Sequence, residues 1–228
     1  MALYYRRRKR YRSMVDLKEG FASKMEIELK YLCDKKTALE ILGDDYKVIE
    51  MDAVYYDTKD MALSSEKLTL RARKENDDYI ATIKWGGKAT GGLHVRNEIN
   101  MPVDKDYINE PVIDLFWDTV IYDTLDGAVG GQYSNALGVM VPRKKLLPYV
   151  RMTFTRLEKE VKSGNLVAVM SYDEGKITKN GKNLEISEME IELKEGNQED
   201  LAVFGEKIRE KYGLIPESRS KFSRAKDI

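Results

Sequence analysis

Glu26-Ile27-Glu28-Leu29-Lys30 alternates charge with large aliphatics, and this alternation constrains the fold more than any other stretch of the chain. Successive side chains on a strand point to opposite faces, so Glu26, Glu28 and Lys30 share one face and Ile27 and Leu29 the other. The same period recurs in Leu70-Arg71-Ala72-Arg73, Arg96-Asn97-Glu98-Ile99 and Glu188-Met189-Glu190-Ile191-Glu192-Leu193. A solvated sheet face ordinarily mixes Thr, Ser, Lys and Gln with scattered charge. Here the carboxylates gather on the first and last of these strands and the cations on the strands between them. The pattern predicts a sheet whose apolar face is covered by helices and whose charged face meets either bulk water or a polar ligand, and the separation of sign favours the ligand.

Composition narrows the ligand. The 228 residues suffice for one substantial core, and with 42% apolar and 34% charged residues the profile is soluble and globular with a dense charge load. Thirty-nine basic and 39 acidic residues cancel, which removes the net field that draws a chain onto duplex nucleic acid. No stretch approaches the roughly 18 consecutive apolar residues that span a bilayer, and no secretory signal core is present. The expectation is a cytoplasmic protein with no membrane partner. Cys33, the one cysteine, excludes an intramolecular disulfide and a thiolate metal cluster. His94, the one histidine, has no second imidazole for a zinc site and reads as structural.

Residues 1–24 stand apart as a basic extension, with Arg6-Arg7-Arg8-Lys9-Arg10 and Arg12 beside three tyrosines, and are expected to be poorly ordered. The folded domain is expected over 25–228. Strands are predicted at 24–32, 47–57, 66–75, 79–86, 93–102, 148–161, 165–178 and 183–194. Asp34 caps a short helix that ends at Ile41 or Leu42 before Gly43, and a helix over 198–212 puts Leu201, Phe204, Ile208 and Tyr212 on one face. Asn76-Asp77-Asp78 and Asn180-Gly181 read as hairpin turns, and a glycine-bearing turn runs from Gly86-Gly87 to Gly91-Gly92. Residues 104–146 read as one or two helices and a glycine-rich loop.

If the strands close into a barrel with the charged faces inward, the usual small barrel with its apolar interior is inverted. The inward cations are then Lys30, Arg71, Arg73, Lys84, Arg96, Arg156 and Lys221, and the inward acids Glu26, Glu28, Glu98, Asp173, Glu190 and Glu192. Enclosing so many charges requires a polyvalent partner, because desolvated charges must be paired or coordinated. Several Arg and Lys together match a polyanion, since guanidiniums bind phosphate oxygens through paired hydrogen bonds. Glutamates without His or Cys supply hard oxygen ligands suited to Mg²⁺ or Mn²⁺. No G-x-x-x-x-G-K-[ST] loop is present, so a P-loop enzyme is excluded.

Glu26-x-Glu28-x-Lys30, Tyr55-Tyr56-Asp57-Thr58, Leu70-Arg71-Ala72-Arg73, Ile83-Lys84, Gly91-Gly92-Leu93-His94-x-Arg96-x-Glu98, Asp173-Glu174-Gly175, Glu188-x-Glu190-x-Glu192 and Ser220-Lys221 together resemble the CYTH superfamily, the triphosphate tunnel metalloenzymes. The resemblance spans residues 25 to 222 and rests on the shared order and spacing of eight short motifs. It implies an α+β fold, an eight-stranded antiparallel β-barrel forming a triphosphate tunnel with helices packed outside. It further implies hydrolysis of a triphosphate-containing small molecule with one or two divalent metals, Mg²⁺ or Mn²⁺. By position, Lys30, Arg71, Arg73, Lys84, Arg96, Arg156 and Lys221 are the implied phosphate clamp. Glu26, Glu28, Asp173, Glu190 and Glu192 are the implied metal ligands, and Glu28, Lys30 and Arg73 the implied catalytic groups. Glu98 is expected to fix Arg96. Within the superfamily the chain is most similar to bacterial inorganic triphosphatases. Inorganic tripolyphosphate is therefore the expected substrate, with nucleoside triphosphates as slower ones. The alternatives are an adenylate cyclase of the same superfamily, a thiamine triphosphatase, and a phosphate-binding module without turnover.

Overall fold

The computed structural model describes residues 23–116, 119–130 and 143–228. Eight long strands carry the fold: Lys24–Leu32 (β1), Lys47–Asp57 (β2), Thr69–Glu75 (β3), Asp78–Thr90 (β4), Leu93–Pro102 (β5), Leu147–Ser163 (β6), Leu166–Lys179 (β7) and Lys182–Glu195 (β8). They are hydrogen-bonded in the order β5-β4-β3-β2-β6-β7-β8-β1, and β5 pairs with β1 to close the ring. Every pairing is antiparallel. Closure leaves β1 wedged between β5 and β8, and the two-residue strand Ile215–Pro216 (β9) extends its far end. The expected eight-stranded antiparallel barrel is thus the observed one.

Two apolar layers lie outside the barrel. On β1, β7 and β8, the outward Leu29, Tyr31, Met170, Tyr172, Met189 and Ile191 pack under helices Lys35–Leu42 (α1) and Gln198–Tyr212 (α4). The signals for these helices were local: the Asp34 carboxylate accepts from Thr37 N at 3.0 Å, Asn197 accepts from Asp200 N at 2.8 Å, and Gly213 closes α4 at φ 67°. On β2 to β5, outward Val54, Leu70, Ala72, Ile83, Ile99 and Met101 meet Ala62–Ser65 (α2), Tyr122–Ala128 (α3) and the 3₁₀ turns Lys105–Ile108 and Ile113–Phe116. No helix of the described residues is long and apolar enough to cross a membrane.

The sequence did not announce α2. Asp57 makes it, accepting from Thr58 N at 2.8 Å, Leu63 N at 2.9 Å and Ser64 N at 3.0 Å. This turn and the left-handed Lys67 take up the chain to Leu68, so β3 begins at Thr69 and not at 66. The expected turn beginning at Gly86-Gly87 is instead a bulge between Trp85 and Lys88, through which β4 continues to Thr90. Asn180 and Gly181 both have positive φ, as a two-residue hairpin turn requires. The basic run within residues 1–22 and the glycine-rich stretch 131–142 lie outside the described residues.

The interior differs from the expectation at one end. Inward-facing Tyr55, Val150, Met152, Phe154, Ile177 and Ile186 form an apolar core inside the barrel with Phe222 and Ala225 of the C-terminal segment. That segment includes helix Lys221–Arg224 (α5), capped where Ser220 accepts from Ser223 N at 3.0 Å. The charged lumen is therefore a cup with an apolar floor. Apolar side chains occupy the end that the C-terminal segment covers because charges there would have neither water nor partners.

Gly175 sits where β7 crowds β6: an added Cβ would lie 2.2 Å from the Thr153 carbonyl oxygen and 2.5 Å from Phe154 Cα. Both obstacles are backbone, so relief requires separating two paired strands. Gly175→Ala should lower stability by about 3 kcal/mol or more, the upper end of overpacking costs, measured by guanidinium denaturation. An unchanged midpoint would show that β6 and β7 are less tightly apposed than described.

Candidate functional site

The lumen is a cavity of about 300 Å³ lined by nine cationic and seven acidic side chains. Strand parity puts them there. Lys24, Glu26, Glu28 and Lys30 come from β1, Arg71, Arg73 and Glu75 from β3, and Lys84 from β4. Arg96 and Glu98 come from β5, Arg156 and Glu158 from β6, Glu190, Glu192 and Lys194 from β8, and Lys221 from α5. Glu26 lies opposite Arg96 across the β1–β5 ladder, while Glu28 and Lys30 lie opposite Glu192 and Glu190 across β1–β8.

Most of these charges neutralise one another. Lys84 Nζ donates to both Glu26 oxygens at 2.8 Å and reaches Glu98 at 2.9 Å. Arg96 donates to Glu26 and, through Nη2, to Glu28 Oε1 at 3.0 Å. Arg156 grips Asp173 with two bonds of 2.7 and 2.8 Å and donates to Glu190 Oε2 at 2.8 Å. Glu98, expected to fix Arg96, instead accepts from Lys84 and from Asn100 Nδ2 at 2.9 Å. The reason is register: Glu98 faces Lys84 directly across β4–β5, whereas Arg96 faces Glu26 across β1.

Five of these groups are held in their ionised forms by their partners: Glu26, Glu190, Asp173, Lys30 and Lys221. Burial by itself would raise the Glu26 carboxyl, but Lys84 and Arg96 outweigh it and hold it well below the usual carboxylate range. Lys221, Lys30 and Arg156 do the same for Glu190, and Arg156 and Lys221 for Asp173. Conversely, burial would lower Lys30 and Lys221, and the surrounding carboxylates raise both.

Arg71 is the exception among the nine lumen cations. Among the described residues no carboxylate lies within ion-pair distance of it, its Nε–H has no acceptor, and its Nη1 donates to the Tyr55 hydroxyl at 3.4 Å. A half-buried guanidinium whose Nε–H is inaccessible and unpaired favours an anion beside it.

Two sets of carboxylates, which share Glu190, bear on cation binding. Glu26, Glu28, Glu190 and Glu192 open onto the cavity. Glu28 and Glu192 are direct cross-strand partners, and their ion pairs fall on Oε1: Arg96 and Lys30 for Glu28, Lys24 and Lys194 for Glu192. Like charges directly opposite destabilise a ladder unless a cation joins them. Hard oxygens so placed fit a divalent cation such as Mg²⁺. Asp173, Glu188 and Glu190 also bring oxygens within 4.8 Å of one another, deeper in the wall. That triad already surrounds an ammonium: Lys221 Nζ is 2.6 Å from Asp173 and 2.9 Å from Glu190, and also contacts Glu188. Asp173 does not line the cavity, and Arg156 and Lys221 occupy both of its oxygens.

The structure thus gathers Glu26, Glu28, Lys30, Arg71, Arg73, Lys84, Arg96, Arg156, Glu190, Glu192 and Lys221 around one cavity, with Asp173 behind it. Lys24, Glu75, Glu158 and Lys194 join them unforeseen. Each lies two residues beyond a recognised lumen position, so carrying the alternation one step further along each strand finds them. Glu188 and Arg224 pair behind the wall, a contact that no local pattern announces. His94 donates from Nε2 to the Glu217 carbonyl at 2.9 Å and ties the C-terminal segment to β5.

Residues 24–225 match the CYTH domain family. An inorganic triphosphatase of Haemophilus influenzae is 28% identical over 211 residues, 92% of this chain and 53% of that protein. The chain therefore spans about half the length of this curated relative. A Hippeastrum protein described as a candidate adenylyl cyclase with a dominant triphosphatase activity superposes with a TM-score of 0.62 at 18% identity, covering 89% of this chain and 95% of that one. A candidate adenylate cyclase of Bacillus halodurans gives 0.55 at 20% identity, covering 89% and 97%. At these identities the structural neighbours carry the fold alone.

Glu26, Glu190 and Asp173 titrate below their ordinary values of 4.5, 4.5 and 3.8 in the folded state. The stability they contribute is complete above those values and is lost as the pH falls through the lower folded ones. Thermal unfolding should therefore show a Tm insensitive to these groups near neutrality and declining below their ordinary values. Glu190→Gln should lower the neutral Tm and flatten the acid decline. An identical acid limb in Glu190→Gln would show that Glu190 does not contribute to it.

Proposed function

The chain belongs to the CYTH domain family, and from that premise we propose that it is a divalent-metal-dependent triphosphatase acting on inorganic tripolyphosphate, with nucleoside triphosphates as slower substrates. The observation that carries this reading is the enclosed lumen with nine cations, of which Arg71 has no carboxylate partner among the described residues. A linear polyanion can engage several of these cations at once, exchanging internal ion pairs for bonds to phosphate oxygens. The inorganic triphosphatase relative supports the choice of substrate.

In this reading Lys30, Arg71, Arg73, Lys84, Arg96, Arg156 and Lys221 hold the phosphate oxygens and stabilise the charge of the transferring phosphoryl group. Glu26, Glu28, Glu190 and Glu192 would hold Mg²⁺ or Mn²⁺. When bound there, such a cation supplies charge neutralisation and acidifies water. Glu28, deepest of the β1 acids, orients the attacking water. Asp173 acts through Arg156, whose guanidinium it fixes in a two-bond grip.

A phosphate-release panel of tripolyphosphate, ATP and thiamine triphosphate, run with Mg²⁺, Mn²⁺ and chelator, tests the reading, and assay of the ATP product for a cyclic nucleotide separates the cyclase. Tripolyphosphate should be turned over fastest, and chelator should abolish turnover. Glu28→Gln should lower kcat about a hundredfold or more while tripolyphosphate still binds. Arg73→Ala should lower kcat/KM about tenfold or more by weakening ground and transition states alike. Turnover that survives chelation removes the metal assignment. Binding without turnover of any substrate on the panel favours the binding module.

A further inference from the structure

The floor of the cup holds two hydrogen-bond donors that no acceptor among the described residues takes. Tyr55, on β2, lines the cavity and is 7% exposed. Arg71 lies directly across the β2–β3 ladder, its Nη1 3.4 Å from the phenol oxygen. A guanidinium only donates, so the phenol oxygen is the acceptor in that contact and its own hydrogen must go elsewhere. The other free donor is the Nε–H of Arg71.

The C-terminal segment holds the Tyr55 ring in place. Phe222, on α5, stacks on it with centroids 5.1 Å apart and planes 26° from parallel. Phe222 is itself backed by Tyr149 at 5.8 Å, and Val150 lies opposite Tyr55 across the β2–β6 ladder. The hydroxyl thus stands at the boundary between an apolar core and a cationic cavity. Burial would raise the phenol, but Arg71, with Lys84 and Arg96 beyond it, outweighs burial and holds it below its usual range. A packing tyrosine needs no such cationic surroundings, and a phenylalanine would fill the stack equally well.

We propose that the Tyr55 hydroxyl and the Arg71 guanidinium seat the deepest phosphate group of the substrate, and that Phe222 is the positioning residue that aims Tyr55 at it. The identity of the ligand rests on the triphosphatase reading above. The phenol O–H donates to one phosphate oxygen and the guanidinium to others, so both unpaired donors are satisfied by one ligand. Because apolar side chains end the cavity behind the ring, the group seated there is an end of the phosphate chain.

Tyr55→Phe keeps the ring and the stack and removes only the donor. Calorimetric binding of inorganic tripolyphosphate, with chelator present to prevent turnover, should weaken about tenfold or more, with Tm unchanged. Tyrosinate absorbance gives a second readout. The difference between wild type and Tyr55→Phe should isolate one phenol that ionises early, and tripolyphosphate should move it to higher pH because the anion opposes the phenolate. Phe222→Leu should weaken tripolyphosphate binding and shift the same phenol, effects that a purely structural role, read in Tm alone, would not produce. If Tyr55→Phe binds as tightly as wild type and no early phenol responds to tripolyphosphate, Tyr55 is a packing residue and the proposal is overturned. Tight binding with the tyrosine response, but no hydrolysis once Mg²⁺ or Mn²⁺ replaces the chelator, would refute the triphosphatase reading and leave the seat standing. A wild type that binds no tripolyphosphate overturns both.

Discussion

The side chain of Lys30 is 2% exposed and its ammonium lies among Glu190, Glu28 and Glu188, with Lys221 sharing two of those acids. Transferring an ion out of water costs several kcal/mol even after relaxation, and removing one partner of a buried pair costs about 3–5 kcal/mol. An inverted barrel survives only because nearly every lumen charge meets its opposite within hydrogen-bond distance. The eight strands, their register and the two external apolar layers together hold those pairs in place. In return, the pairs keep β1, β5, β6, β8 and the C-terminal helix in a single arrangement.

That mutual neutralisation also sets how the lumen can work. Cations already directed inward by carboxylates are preorganised, so an entering polyanion meets donors that need little reordering. In the proposed triphosphatase reading, the carboxylates it displaces from the cations would become available as hard oxygen ligands. Such an exchange suits phosphoryl transfer, in which positioning and charge stabilisation do most of the catalysis. Arg71, left without an acid among the described residues, marks where the internal neutralisation is incomplete.

The C-terminal segment is as much part of the site as the strands. Lys221 reaches the acids of β7 and β8, Phe222 stacks under Tyr55, Lys179 donates to the Ala225 carbonyl at 2.9 Å, and His94 holds the Glu217 carbonyl. One short stretch thus supplies a lumen cation and an apolar floor. The barrel is a cup where an uninterrupted alternation of charge would have made an open tube.

Glu26-Ile27-Glu28-Leu29-Lys30 determined by itself which side chains share a face, because the pleat is a property of the local backbone, and the same alternation on β3, β5 and β8 made the lumen residues legible. Asp34, Gly43, Asn180-Gly181 and Gly213 likewise announced helix and hairpin ends, since caps and tight turns are short-range hydrogen-bonding and φ requirements. Only the tertiary structure decided that β1 closes against both β5 and β8, that Glu98 meets Lys84 and not Arg96, and that Gly86-Gly87 is a bulge. It alone decided that Lys221 occupies the Asp173, Glu188 and Glu190 triad and that Phe222 makes a floor for the cavity. These outcomes depend on cross-strand register and on contacts between residues more than a hundred positions apart, such as Lys30 with Glu190, where the energy of a pair depends on distance and burial and leaves no local pattern along the chain.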